Sequence, residues 1–283
     1  MRIARVSGTD GVVYLARLDA EVATPILAED ARPGSDPLRD ALAASMDMAI
    51  APAVAAPAPL SAWKLLAPVV APQKVLAIGL NYGDHARETG AKLPDNPMVF
   101  AKLPSSVVGP GDTIRYSKSD SQQVDYEAEL AVVLGRRARH VDIADALEYV
   151  LGYTLCNDVS ARDAQFADKQ WVRSKSFDTF CPLGPWIVTS DEIPDPQKLP
   201  IATRVNGRTL QDSSTAEMVF GVAALVSYIS QTVTLEPGDV IATGTPSGVG
   251  FTRTPPVFLS DGDVVEIEID RIGVLRNDVA VES

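Results

Sequence analysis

The residues of this chain best suited to chemistry are acids embedded in apolar runs. Glu127 and Glu129 lie inside VDYEAELAVVLG, and Asp158 ends a second apolar run, LGYTLCND. Successive side chains of a β-strand alternate faces, so Glu127 and Glu129 point the same way with Asp125, on a face that continues as Ala131 and Val133. A strand face that changes from carboxylate to apolar passes from a cleft into a core, where crowded like charges repel unless a cation or protons compensate them. Hard oxygen donors of this kind suit Mg²⁺, Mn²⁺ or Ca²⁺. On these residues alone, an acid-rich solvated face explains the pattern as well as a cation site does.

Spacing cannot separate the two. Near the C-terminus VVEIEID also alternates acids, Glu266, Glu268 and Asp270, but against a regular apolar face of Val265, Ile267 and Ile269. That is the pattern of a half-buried strand with one wet side.

A second group of residues narrows the choice. In chain order come NYGDHARE, VDYEAELAVVLG, GYTLCNDVSARDAQ, KSFDTFCPLGP and GTPSGVG. Together these segments resemble the fumarylacetoacetate hydrolase family, in the branch of acylpyruvate hydrolases, oxaloacetate decarboxylases and hydroxyheptadienedioate isomerases. The resemblance covers Lys74 to Val279 and rests on the joint occurrence of the segments in order. It implies a β-rich α+β fold, a mixed β-sandwich or roll forming the catalytic domain, with a small N-terminal domain. It also implies that Glu127, Glu129 and Asp158 ligate one divalent ion, Mg²⁺ or Mn²⁺ ahead of Ca²⁺. Three monodentate carboxylates leave about half of an octahedron for water and substrate. A homodimer is expected on the same ground.

The remaining site residues have competing readings. His85 and Glu88 are three apart on a short helix that Gly90 can end, and a carboxylate beside an imidazole orients the ring and raises its basicity. Surface electrostatics is the plain alternative; the resemblance makes the pair catalytic, on a mobile lid. Ser160 can cap a helix SARDAQFAD, on which Arg162 and Gln165 share a face. By position alone Arg162 pairs with Asp163 or Asp168 at the surface, whereas the resemblance turns it and Gln165 toward the substrate. Lys175 reads either as a solvated lysine beside Arg173 or, by resemblance, as the neighbour of the substrate carboxylate or developing enolate. GTPSGVGF has neither GK[ST] nor the G-x-G-x-x-G order, so a phosphate cradle is unsupported. The loop is a tight turn in which, by resemblance, Thr245 lines the substrate site and glycines admit close backbone approach.

Composition bounds the rest. With 25 basic and 37 acidic residues the 283-residue chain carries a formal charge of −12, which disfavours nucleic acid and anionic membrane as partners. No apolar stretch reaches the length of a membrane span, and MRIARVSGTDG lacks the apolar core of a signal peptide, so a cytoplasmic protein is expected. Cys156 and Cys181 form no close pair in sequence and read as small buried hydrophobes. His140, after three arginines, reads as exposed.

Residues 1 to about 45 read as short strands, RIARV and VVYLARL, followed by a polar stretch. Prolines 52, 57, 59, 68 and 72 then exclude a continuous helix. The expected division is a small N-terminal domain with a Pro/Ala-rich linker over 1–70 and a catalytic domain over 71–283. Ser214 and Glu217 form a capping box that predicts a helix with Met218, Val219, Val222, Leu225, Val226 and Ile229 on one face. The excess of strands without regular βαβ alternation argues against Rossmann and TIM architectures.

The activity expected is metal-dependent hydrolysis of a carbon–carbon bond in a short 2,4-dioxo acid. Water activated by His85 and Glu88 attacks the C4 carbonyl, and a metal-stabilised pyruvate enolate leaves. Oxaloacetate decarboxylation and hydroxyheptadienedioate isomerisation are the enzyme alternatives. A catalytically silent metal-binding protein on the same fold is the alternative outside enzymology.

Overall fold

The structure, a computed structural model, describes residues 1–30, 35–70 and 72–282. Its centre is the strand that carries the acids. Every residue of β7 (Ala128–Leu134, AELAVVL) is buried, because it lies in mid-sheet between β8 (Val150–Asn157) and β12 (Val240–Ala242), antiparallel to both. Ala128, Leu130, Val132 and Leu134 pack into one apolar cluster and Ala131 and Val133 into another, so the strand is covered on both faces.

Around it the larger sheet has twelve strands. On one side the order runs from β8 through β9 (Cys181–Thr189) to the N-terminal hairpins β1 (Arg2–Ser7), β2 (Val13–Asp19) and β3 (Val22–Ala28). On the other it runs from β12 to the parallel β4 (Val75–Gly79) and the antiparallel β5 (Met98–Lys102) at the edge. Since β1 pairs with β9 at Arg2–Val188 and Ile3–Ile187, the N-terminal strands join the catalytic sheet itself. Of the polar stretch after β3, residues 31–34 lie outside the described residues and Pro37–Ala43 form α1, capped by Asp36. Ala71, at the expected boundary, also lies outside them.

A second sheet of five strands has the order β11 (Arg208–Ser214), β10 (Pro200–Val205), β13 (Val264–Ile269), β14 (Gly273–Glu282) and β6 (Ile114–Ser117). Here the expected half-buried strand is found: Val265, Ile267 and Ile269 of β13 are buried, while Glu266 and Glu268 pair with Arg204 at 3.3 and 2.6 Å on the wet side. The chain is thus β-rich with mixed sheets and few helices, as the resemblance implied.

Three local expectations are corrected. Ser214 does accept a hydrogen bond from the Ala216 N–H, but it caps only a 3-10 turn, Thr215–Glu217. The next amides are claimed by Asn81, whose backbone carbonyl accepts from Val219 and whose side-chain oxygen accepts from Phe220, so the chain cannot stay helical. The helix α5 spans Val222–Ser230 with its apolar face buried as expected from Val222 onward. Ser160 is not a helix cap: Ser160–Ala161 pairs with Val124–Asp125, its hydroxyl donates to the Asp158 carbonyl, and α3 starts at Arg162. Asp125 does not share the site face of Glu127, because the strand is interrupted between Asp125 and Ala128 and Asp125 turns toward the Gly250 and Phe251 amides. Gly90 ends α2 (Gly83–Thr89) in the left-handed conformation, as predicted.

Leu130→Ala is expected to cost about 2–5 kcal/mol in denaturant unfolding, since it opens a void in a fully buried strand. Glu268→Ala should cost less than about 1 kcal/mol, as an ion pair on the wet face contributes little.

Candidate active site

Glu127, Glu129 and Asp158 are buried, and one carboxylate oxygen of each lies within 4.8 Å of the others. Glu129 is carried by β7 and Glu127 by the residue just before that strand; Asp158 follows β8, and its N–H donates to the Glu127 carbonyl. Adjacent antiparallel strands therefore bring together residues some thirty positions apart.

Basic groups converge on the same point. Lys175, in the turn after α4 (Trp171–Ser174), donates to Glu127 at 2.8 Å and Asp158 at 2.7 Å. Arg162, the first residue of α3 (Arg162–Asp168), donates from Nε to Asp125 at 2.9 Å and from Nη1 to Gln165 at 3.0 Å. Its Nη2 makes ion-pair contacts with Glu127 at 2.6 Å and Asp125 at 2.8 Å. The expected surface partner Asp168 binds Arg173 instead. Lys102, which the sequence reading passed over, ends β5 with its side chain fully buried, donating to Asp158 at 2.5 Å and to the Lys175 carbonyl. Its signal in the sequence is an inward-facing lysine closing the strand MVFAK.

Ionised together, Asp125, Glu127, Glu129 and Asp158 would exceed by one negative charge the cations paired with them among the described residues, Lys102, Arg162 and Lys175. The excess falls on Glu129, which has no ion-pair partner among the described residues and accepts one hydrogen bond, from the Gly244 N–H at 2.9 Å. Burial, reinforced by the charges of Asp158 and Glu127, pushes Glu129 well above the ordinary carboxylate range. Burial works in the same direction on Glu127, but Lys175 and Arg162 outweigh it and hold that carboxyl down at about 2. Among these acids, three converge and one lacks a counter-charge, so the donor set fits a divalent cation bound by Glu127, Glu129 and Asp158. Each carboxylate oxygen has two lone pairs, so Glu127 and Asp158 can keep their lysine contacts while ligating.

The loop after β12 supports these acids through backbone. The Gly244 N–H donates to Glu129, the Gly248 N–H to Glu88 at 2.9 Å and the Gly250 N–H to Asp125 at 2.8 Å. A Cβ at Gly250 would stand 1.9 Å from the Val257 carbonyl oxygen and 2.5 Å from Asp125, so only glycine fits; Gly248 is required by a φ of +101°. Thr245, in the same loop, lines the cavity and accepts from the buried Gln211 at 2.8 Å.

A cavity of about 260 Å³ opens over the carboxylates. His85, Arg162, Gln165, Lys175 and Thr245 all line it. Glu88 does not: it lies behind His85, binding its Nδ1 at 3.1 Å, and also accepts from Gly248 and Thr252. It therefore orients the ring. Burial would raise Glu88, but hydrogen bonds from His85, Gly248 and Thr252 prevail and keep it below the ordinary range, hence ionised. With Nδ1 held by a carboxylate, Nε2 is the free ring nitrogen. Two aromatic pairs form walls that the sequence did not disclose: Trp171 edge-on to Phe100 at 5.3 Å, and Phe166 edge-on to Phe251 at 5.8 Å. Phe100 and Phe251 lie beneath Lys175 and Arg162, at 5.4 and 4.5 Å.

A fold of two large sheets with a buried carboxylate triad, a lysine and a histidine backed by a glutamate around one cavity defines a class of enzyme, and residues 74–280 match the family model described as fumarylacetoacetate hydrolase C-terminal. The chain belongs to that family. It is 50% identical over 222 residues, 78% of this chain and 71% of the relative, to the mitochondrial oxaloacetate tautomerase of Rattus norvegicus. The solved 2-hydroxyhepta-2,4-diene-1,7-dioate isomerase from Mycobacterium marinum is 38% identical with a TM-score of 0.80, covering 100% of this chain and 99% of its own. A fumarylacetoacetate hydrolase from psychrophilic Exiguobacterium antarcticum is 38% identical with a TM-score of 0.86, covering all of both chains. The protein is therefore an enzyme of this family.

Ala substitution of Glu127, Glu129 or Asp158 should abolish Mn²⁺ binding in calorimetric titration. Glu266→Ala and Glu268→Ala should bind as the parent does; equal behaviour of the two acid sets would make the triad purely structural. Because Glu129 is raised, it holds its proton to higher pH than an ordinary carboxylate, and the cation must displace that proton. Mn²⁺ affinity should accordingly rise as pH rises through the raised value, with proton release that scales with buffer ionisation enthalpy and disappears in Glu129→Gln.

Proposed function

We propose that this protein is a divalent-metal-dependent enzyme that moves a proton at C3 of a short 2-oxo acid, interconverting its enol and keto forms. The observation that carries the reading is the convergence of one free imidazole nitrogen, His85 Nε2, with the triad and Lys175 on one cavity. Mg²⁺ or Mn²⁺ fits the all-carboxylate donors, and when bound supplies positive charge that favours electron density on the 2-oxo oxygen. Lys175 adds a fixed ammonium beside that position. Arg162 and Gln165 orient the substrate carboxylate, Thr245 lines the same cavity, and His85, kept basic by Glu88, takes and returns the C3 proton. Oxaloacetate is the favoured substrate because relatives at about half identity are named for its tautomerisation.

Carbon–carbon hydrolysis of an acylpyruvate is the second reading. It is favoured by the same His85–Glu88 pair, which can activate a water, and by the Exiguobacterium antarcticum neighbour. A homodimer agrees with the exposed Met98 and Val99 on the edge strand β5 and Leu103 beyond it, an apolar strip that pairing would cover. Among the described residues no helix is long and apolar enough to cross a membrane. A cytoplasmic location rests on the sequence alone, and the rat relative is mitochondrial.

The test follows enolic oxaloacetate, an acylpyruvate and a dienedioate in parallel with Mg²⁺ and Mn²⁺, separating ketonisation, cleavage and double-bond migration by product. His85→Ala should slow the proton transfer about 10²–10⁴-fold. Full rate in that variant would remove His85 from the chemistry, and cleavage without tautomerisation would favour the hydrolytic reading.

A further inference from the structure

Helix α2 carries His85 into the cavity, yet it has only seven residues and no side-chain cap at its N-cap Tyr82. So short a helix is not stable by itself. Besides the bonds of Asn81 before it and of Glu88 in its last turn, Asp84 ties its first turn to the rest of the protein. Its Oδ1 accepts from the His85 N–H at 2.7 Å, while its Oδ2 accepts from the Ser213 hydroxyl at 2.6 Å and the Ser247 hydroxyl at 3.2 Å. Ser213 belongs to β11 of the five-stranded sheet, and Ser247 to the glycine loop that follows β12 of the twelve-stranded sheet. One carboxylate therefore clamps the backbone of His85 to a strand of the five-stranded sheet and to the glycine loop. A tie from the last turn, Arg87 to Glu217 at 2.8 Å, joins two exposed side chains and contributes little. Asp84 does not line the cavity.

We propose that Asp84, through Ser213 and Ser247, is a positioning residue that latches α2 and sets the reach of His85 into the cavity. Glu88 orients the imidazole ring at the far end of the helix; Asp84 places the backbone from which that ring projects. A displacement of about 1 Å in a reacting group can cost on the order of 10²-fold in rate, so loss of the latch acts on the chemical step more than on binding. The effect on rate rests on the reading of His85 as the proton-transfer base; the latch itself does not.

The experiment uses the full-length, Mn²⁺-loaded protein. Asp84→Ala should lower kcat about 10- to 100-fold with KM and Mn²⁺ affinity within about threefold, and Asp84→Asn, which retains an acceptor for the His85 N–H, should recover most of the rate. Amide exchange at Ala86, Gly90 and Ala91 should quicken at least about tenfold in Asp84→Ala. Adding Asp84→Ala to Ser213→Ala/Ser247→Ala should cost less than adding it to the parent, since the three residues act as a unit. Unchanged exchange, additive losses, or loss of Mn²⁺ affinity in step with kcat would each overturn the proposal. If His85→Ala keeps full rate while exchange in Asp84→Ala still quickens, the function assigned to His85 fails and the latch stands.

Discussion

The constraint on which this structure depends is the burial of four carboxylates in one place. Charges cannot leave water without compensation, and Asp125, Glu127, Glu129 and Asp158 are all buried. The fold answers with basic groups from three separate elements: Lys102 at the sheet edge, Arg162 at the start of α3 and Lys175 after α4. Each sits within ion-pair distance of one or more acids. The compensation stops one charge short, and the shortfall is concentrated at Glu129. A site held in electrostatic deficit by its own fold attracts a cation without a large structural change, because its ligands are already gathered.

The glycine loop after β12 does the complementary work with backbone alone. Three of its amides reach three acids: Glu129 in the triad, Asp125 that steadies Arg162, and Glu88 that orients His85. A single loop thereby links the carboxylate triad to the imidazole, and the identity of its glycines follows from close contact with neighbouring carbonyls. Helix α2 then adds one imidazole to a cavity whose charges are otherwise committed to each other. On the function proposed above, this division, a fixed electrostatic floor and a separately docked imidazole, suits reactions that share an enolate and differ in what the imidazole does. It gives a physical reason for relatives of one family to be named as tautomerase, isomerase and hydrolase.

Much of the site was legible. The alternation in VDYEAELAVVLG placed Glu127 and Glu129 together, the spacing of His85 and Glu88 placed them on one helical turn, and Gly90 marked that helix's end. Asp125 misled, because alternation assumes an unbroken strand and this one is interrupted where Asp125 is drawn to backbone amides. The helix expected from Ser214 failed for a related reason: Asn81, far away in sequence, takes the amides that would have continued it. Local propensity is decided by local hydrogen bonds only when nothing distant competes for them.

By itself, the sequence determined the β-rich character of the chain, the acidic residues able to ligate a cation and the family to which it belongs, since periodicity and ordered motifs are properties of the chain. Tertiary structure alone decided which charges meet. Lys102 looks like the end of an ordinary strand, and becomes part of the site only because β5 lies beside β4 and its ammonium reaches Asp158. Cys156 and Cys181, unpaired by any motif, lie with their sulfurs 3.8 Å apart because β8 and β9 are neighbours. Asp84 gains its partners from a strand and a loop distant in sequence, Ser213 and Ser247. Electrostatic and hydrogen-bond energies depend on distances through space, and strand pairing sets those distances between residues that sequence separation keeps apart.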